Sequence, residues 1–309
     1  MNESTIYKSV AGERAVMSLY DELLAGWPLA CQERYVETRH GRTFVIACGT
    51  EVGPPLVLLH GAGSNSAIWA GDAAVLGRQY RIYAVDLPGE PGKSAPNRPS
   101  WEGPAFAEWL LDVLDGLGLE QAVLLGVSQG GWTALRFATL HPERTAALVL
   151  LSPGEVTADR PSFLLKAAPL TLLGEWGARR MVRMMFGSQP VSAEVEDITV
   201  LVTTHFKPRI GVLPRFSDKE LQRLIMPTLL VGGQEDVIRD VADIAARLDS
   251  LLPQLEVALV PDGGHALLNI TELVFPFLTT LLSINAVPVN HISQQPFTQP
   301  GRIRVSKND

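Results

Sequence analysis

The chain has 309 residues with 46% hydrophobic and 19% charged side chains, enough apolar material for one large α/β domain or two smaller ones. Its net charge of -7, with no long Lys/Arg cluster to offset it, argues against a nucleic-acid partner. No uninterrupted apolar stretch reaches spanning length and residues 1–8 lack the apolar segment of a signal peptide, so a cytoplasmic protein with no membrane span is expected.

In chain order, residues 1–10 are polar and expected to be loose. Val16, Leu19, Tyr20, Leu23 and Leu24 recur at helical spacing and predict an amphipathic helix from Ala11 to Ala25, stopped by Gly26 and Pro28. Arg34 to Thr38 and Arg42 to Ala47 read as two strands around His40-Gly41, a hairpin signal. Cys31 and Cys48 fall on these strand-like segments with no C-x-x-C and no adjacent His. Neither a metal site nor a disulfide framework is indicated, and both thiols are expected to be small buried side chains. Leu56 to Leu59 is a continuous apolar run closed by His60-Gly61-Ala62-Gly63, and Arg81 to Val85 is another, ending in Asp86-Leu87-Pro88-Gly89. Trp101 to Leu117 has helical period. Ala122 to Leu125 reads as a buried strand, and Ala146 to Leu151 as the next. Short apolar strands alternating with helices predict a mostly parallel, doubly wound α/β sheet.

After Ser152-Pro153-Gly154 the rhythm changes. Residues 155–225 offer helical pieces at Phe163–Leu173, Glu175–Phe186 and Ala193–His205, and no clear buried strand. This stretch reads as a helical cap over the C-terminal strand ends, where ligands bind in open α/β sheets. Met181, Met184, Met185 and Phe186 either line an adaptable pocket or form the cap's own core. The alternation resumes with a strand at Pro227–Val231, a helix at Ile238–Leu252, a strand at Leu255–Val260 and a helix at Ala266–Leu282. The expected organisation is an N-terminal helical extension (1–30), a core in two parts (31–154 and 226–283) around the cap, and an irregular tail (284–309).

The stretch that carries chemistry is Gly126-Val127-Ser128-Gln129-Gly130, a G-x-S-x-G turn placed between a strand and a helix. A strand reversing directly into a helix leaves no room for flanking side chains. It presents the Ser128 hydroxyl at the turn, above the positive end of the helix. A serine hydroxyl is a weak nucleophile at neutral pH and needs a base within hydrogen-bond reach, itself oriented by an acid. Of the six histidines, His265 sits in Pro261-Asp262-Gly263-Gly264-His265 after the last strand, where two glycines let the loop bend back. His40, His60 and His141 fit structural roles at turns and strand ends, His205 falls in the cap and His291 in the tail. For the acid, Asp236 follows the strand Thr228–Val231 and is the choice over Glu235, Glu155 and Asp262. Glu155 follows the strand before the cap and stays open as a replacement. An oxyanion hole would use the amides of Gln129 and Ala62.

With its His60-Gly61, Asp86-Leu87-Pro88-Gly89, Gly126-x-Ser128-x-Gly130-Gly131, Asp236 loop and Gly264-His265 in this order, the chain resembles the α/β-hydrolase superfamily over residues 30–283. It looks most like small bacterial carboxylesterases of the carboxylesterase NP type, through Thr38–Thr43, Pro54–Ala62, Tyr83–Asp86, Leu151–Pro153 and Asp236–Ile238. The resemblance implies an α/β-hydrolase fold and hydrolysis of carboxylic esters with a bulky acyl group under the cap; the expectation is an enzyme with no cofactor and no metal, acting on a small-molecule ester as a monomer or homodimer. That subgroup carries a Glu at the position of Asp236, so the shorter acid here asks for a closer loop. The His60–Gly63 loop also has Ala62 where the three-glycine lipase type has the middle glycine. The same three side chains would serve lactone hydrolysis or C–C bond hydrolysis, although the Gly-Pro-Gly usual in C–C hydrolases is absent after His60-Gly61. A ligand-binding receptor on this fold is the alternative from another class.

Overall fold

The computed structural model describes residues 6–285. The tail expected from 284 onward, with His291, and the first five residues of the N-terminal extension fall wholly or mostly outside that range. The first compact unit runs to Phe275; the second begins at Pro276, and its described part is the C-terminal half of one helix. Among the described residues no helix is long and apolar enough to cross a membrane, and no group of three His, Cys, Asp or Glu side chains is arranged to hold a metal ion.

Eight strands form one sheet: β1 (Cys31–Val36), β2 (Thr43–Gly49), β3 (Pro55–Leu59), β4 (Arg81–Val85), β5 (Ala122–Val127), β6 (Thr145–Leu151), β7 (Thr228–Gly233) and β8 (Leu255–Val260). Their spatial order is β1-β2-β4-β3-β5-β6-β7-β8, with β2 antiparallel to both neighbours and every pair from β4 to β8 parallel. Helix α1 (Val10–Ala25) precedes the first strand and α10 (Ile270–Asn285) follows the last; between the strands run α2 (Ala70–Leu76), α3 (Ala105–Gly116), α4 (Gln129–Leu140), α5 (Pro161–Leu170), α6 (Gly174–Phe186), α7 (Ala193–His205), α8 (Asp218–Leu221) and α9 (Val241–Asp249).

The central strands read as unbroken apolar runs because both faces of the sheet are covered. Val57, Leu59, Val85, Leu124, Leu148, Leu150 and Leu230 pack with Phe106, Trp109 and Leu110 of α3, Trp132 and Leu135 of α4, and Ile244 and Leu248 of α9. The alternate residues Ile46, Leu56, Leu58, Ile82 and Ala84 are equally sealed. The edge differs. β1 is exposed along all but Val36, so Cys31 lies at the surface while its register partner Cys48 is buried. This corrects the expectation of two buried thiols: an edge strand has only one neighbour, and here both faces of it meet solvent as far as Tyr35.

Several helices start later than their periodicity suggests, because the preceding residues turn first. Gly103 takes φ +76 before α3, Asn269 takes φ +53 before α10, and the Asp240 side chain caps α9 by accepting from the amides of Ala242 and Asp243. Between β6 and β7 lie α5 to α8 and no strand of the sheet. Helices α6 and α7 are joined by Arg183 and Arg179, which both ion-pair with the buried Glu196. The N-terminal segment holds α7 from outside: Lys8 N–H donates to the His205 carbonyl, Lys207 N–H donates to that of Ile6, and Tyr7, Val16, Val202 and Phe206 form a small apolar cluster.

The chain leaves β3 toward β4 on one side and returns to β5 on the other. The loops after β3 and β5 therefore part in opposite directions and open a crevice at their carboxyl ends.

Candidate active site

Ser128 stands at that crevice as the residue before α4, with φ 53 and ψ -110, a left-handed conformation that side chains other than glycine adopt only when the surroundings enforce it. The enforcement is close packing. A Cβ on Gly130 would overlap the carbonyl oxygen of Leu59 in β3, and one on Gly126 would overlap the backbone of Gly130. The turn is tied down by Ser128 N–H donating to the Leu151 carbonyl (2.9 Å) and by the Ser128 carbonyl accepting from Trp132 (2.9 Å) and Gly154 (3.1 Å).

His265 is buried in the loop after β8. Its Nε2 lies 3.0 Å from Ser128 Oγ and its Nδ1 lies 2.9 Å from Asp236 Oδ2. Two backbone contacts hold this loop against the end of α6: Gly264 N–H donates to the Phe186 carbonyl and Ala266 N–H to that of Met185. A Cβ on Gly264 would overlap the same segment, and one on Gly263 would crowd Leu267 and Val260. Met181, Met184, Met185 and Phe186 are half-buried, neither sealed in a core nor bare.

Asp236 is fully buried, and burial by itself pushes its carboxyl up. The hydrogen bond and attraction from His265, with the amides of Arg239 (3.0 Å) and Ile238 (2.8 Å) donating to Oδ1, outweigh that and hold it below the usual aspartate range. The other candidate acids are engaged elsewhere. Glu235 accepts from Ser188 Oγ at 3.1 Å, Glu155 pairs with Arg215 at 3.5 Å, and Asp262 is exposed.

Gly61 lies against the Ser128 turn, where an added Cβ would stand 3.5 Å from Ser128 Cβ. Gln129 is the first residue of α4. Among the described residues, no protein acceptor takes the amide of Gln129 or of Ala62. His60 is structural: it is sealed, accepts from Leu87 N–H on Nε2 (2.9 Å) and so carries its proton on Nδ1, beside the Gly61 carbonyl (2.8 Å). Burial pushes its pKa down, which keeps it neutral.

Two residues of the crevice carry no motif. Glu90, in the loop after β4, is 4% exposed and accepts the Gly63 amide at 2.7 Å, beside Ala62. Burial raises its pKa to about 7, opposed by the Gly63 amide, Arg98 and the Gln129 side chain. Arg239 is 5% exposed, and its Nη1 lies 3.3 Å from Ser128 Oγ and 3.4 Å from His265 Nε2. The only signal for Arg239 was its place three residues beyond Asp236, in the tight turn that also supplies that carboxylate's donors.

A serine on a strand-to-helix turn at the switch point of a mostly parallel sheet, with a histidine and an aspartate on later loops beside it, defines a class, and the chain belongs to it: the Alpha/beta hydrolase family model matches residues 56–272. Within that family it is similar to two Bacillus subtilis proteins. The uncharacterized carboxylesterase nap is 35% identical over 80% of this chain and 85% of its own length, and carboxylesterase YbfK is 32% identical over 86% and 93%. The crystal structures of carboxylesterase CesB (YbfK) and of naproxen esterase (carboxylesterase NP), both from Bacillus subtilis, superpose with TM-scores of 0.77 and 0.76. Each is 31% identical and covers 88% of this chain and 99% of its own.

Proposed function

We propose that the chain is a carboxylesterase in which Ser128 is the nucleophile, His265 the general base and acid, and Asp236 the group that orients the imidazole. One observation supports this above the rest: hydroxyl, imidazole and carboxylate form a continuous relay, with 3.0 Å from Oγ to Nε2 and 2.9 Å from Nδ1 to Oδ2. Because Asp236 is ionised and buried, Nδ1 carries the proton and the Nε2 lone pair is turned to Ser128 Oγ. As Ser128 Oγ bonds to the ester carbon, its proton passes to Nε2. The carbonyl electrons move onto oxygen, where the amides of Ala62 and Gln129 donate to it at the positive end of α4. Collapse breaks the bond to the alcohol oxygen, which takes the proton from Nε2 and leaves an acyl-serine. Water attacks that ester by the same proton path and releases the acid.

Residues 155–225 act as a lid in this reading. The carbonyls of Met185 and Phe186 at the end of α6 hold the His265 loop, so lid and base share backbone hydrogen bonds. The relatives named as carboxylesterases add support for carboxylic esters as the substrates. The direct test is Ser128→Ala, expected to lose about 10⁶-fold in turnover of p-nitrophenyl butyrate and to escape labelling by a fluorophosphonate. An alanine variant with wild-type turnover would overturn the proposal. A wild-type protein that takes the label at Ser128 yet turns over no ester would point to the receptor reading.

A further inference from the structure

Resting on Ser128 as the nucleophile, we propose that Arg239 is a substrate-binding residue that selects esters carrying a carboxylate close to the scissile carbonyl. Its guanidinium is buried at the reacting atoms and not on the rim: the side chain is 6% exposed, and Nη1 reaches Ser128 Oγ at 3.3 Å and His265 Nε2 at 3.4 Å. Such a charge is costly to desolvate and is kept only where its donors are used. Nε donates to Asp159 Oδ1 (2.9 Å) and Nη1 donates to the Ser152 carbonyl (2.9 Å). Nη2 has no protein acceptor among the described residues, and it is not among the polar atoms sealed from solvent without a partner. It lies beside Gly154, whose missing Cβ would stand in contact with it at 3.6 Å. A donor with access, beside the nucleophile, is what an incoming anion needs.

The nearby acids do not fill that role. Asp159 engages Nε alone, Glu155 pairs with Arg215, and Asp236 is occupied by His265 and two amides. A neutral donor would serve as well for the Ser152 carbonyl; only a fixed cation with a spare nitrogen prefers a carboxylate over other acceptors.

The charge also bears on the chemistry. In the free enzyme the Nη1 proton is shared with the Nε2 lone pair that Ser128 must use. Once His265 takes the serine proton, the guanidinium faces an imidazolium. A substrate carboxylate on Nη2 balances that pair of like charges. With the attacked carbon about 3 Å from Oγ, the carboxylate falls within about two to four bonds of it.

The experiment compares charged and neutral esters of equal length. Monomethyl glutarate against methyl hexanoate tests a carboxylate on the acyl side, and 3-acetoxypropanoate against butyl acetate tests the alcohol side. Acid release is followed for wild type, Arg239→Gln and Arg239→Lys. In one of the two pairs, the charged-to-neutral ratio of kcat/KM should fall at least thirtyfold in Arg239→Gln and less in Arg239→Lys, mainly through KM. The responding pair identifies the side. Ratios constant within threefold in both pairs would overturn the assignment. Should Arg239→Gln not fold, wild type alone decides: glutarate should inhibit competitively at least tenfold better than 1,5-pentanediol, and equal inhibition would overturn it. Wild-type turnover of p-nitrophenyl butyrate separates the two readings, since its absence sinks the esterase and its presence with unchanged ratios sinks only the role of Arg239.

Discussion

The loops after β7 and β4 each bring a carboxyl group to the crevice, and the two are held in opposite ways. Asp236 is fully buried yet kept below the usual aspartate range, because two amides and an imidazole donate to it. Glu90 is nearly as buried, accepts one amide directly, and is raised to about 7. Burial is common to both, so the groups that oppose it decide the direction: the bond and attraction of His265 with two amides outweigh it at Asp236, and the Gly63 amide, Arg98 and the Gln129 side chain do not at Glu90. An acid that accepts from an imidazole N–H and two amides is held ionised; an acid that accepts a single loop amide can do so in either form.

The comparison breaks most visibly at Asp236. Asp236→Asn keeps the shape but removes the charge that fixes the proton on Nδ1, and kcat on p-nitrophenyl butyrate should fall about 10⁴-fold. A loss under tenfold would mean that the carboxylate does not set the tautomer. The two acids should also differ in the sign of their pH linkage. The Asp236 pKa is lowered, so its contribution to stability is present above the unfolded value and is lost as pH falls through the folded one.

Glu90 runs the other way. Its pKa rises from 4.5 to about 7, so the favourable state is the protonated one, fully present below 4.5 and lost as pH rises through 7. Between pH 4.5 and pH 8 wild type should lose on the order of 3 kcal/mol that Glu90→Gln does not lose. Urea denaturation of both proteins at several pH values checks this, and parallel curves would refute the raised pKa. The smallest effect is at a third buried acid. Asp86 accepts from Tyr20 Oη, Ser66 N–H and Lys93 N–H. Tyr20→Phe removes one of these three donors and should cost about 1–3 kcal/mol by denaturant unfolding. A cost near zero would show that the remaining donors suffice.

Much of the frame was legible in the sequence. The strands Arg81–Val85 and Leu255–Val260 and the helix Ala193–His205 have the bounds their patterning suggests, since continuous apolar runs and helical periodicity are local properties. Ser128, Asp236 and His265 stood out because each sits in a turn just after a strand, flanked by glycines or by a loop of small residues. The exposed Cys31, the buried Glu90 and the role argued for Arg239 were not legible. Whether a strand lies at an edge, and which charged side chain of a loop turns inward, depend on neighbours far away in the chain.

The order of strands and helices, the tight turn at Gly126–Gly130 and the choice of candidate side chains were thus determined by the sequence alone, through periodicity and the steric demands of short turns. Tertiary structure decided the rest. It set the 3.0 Å between residues 128 and 265, the donors that separate Asp236 from Glu90, and the guanidinium beside the hydroxyl. Distances and local dielectric arise only when parallel strands bring the ends of distant segments together, and no local pattern encodes them.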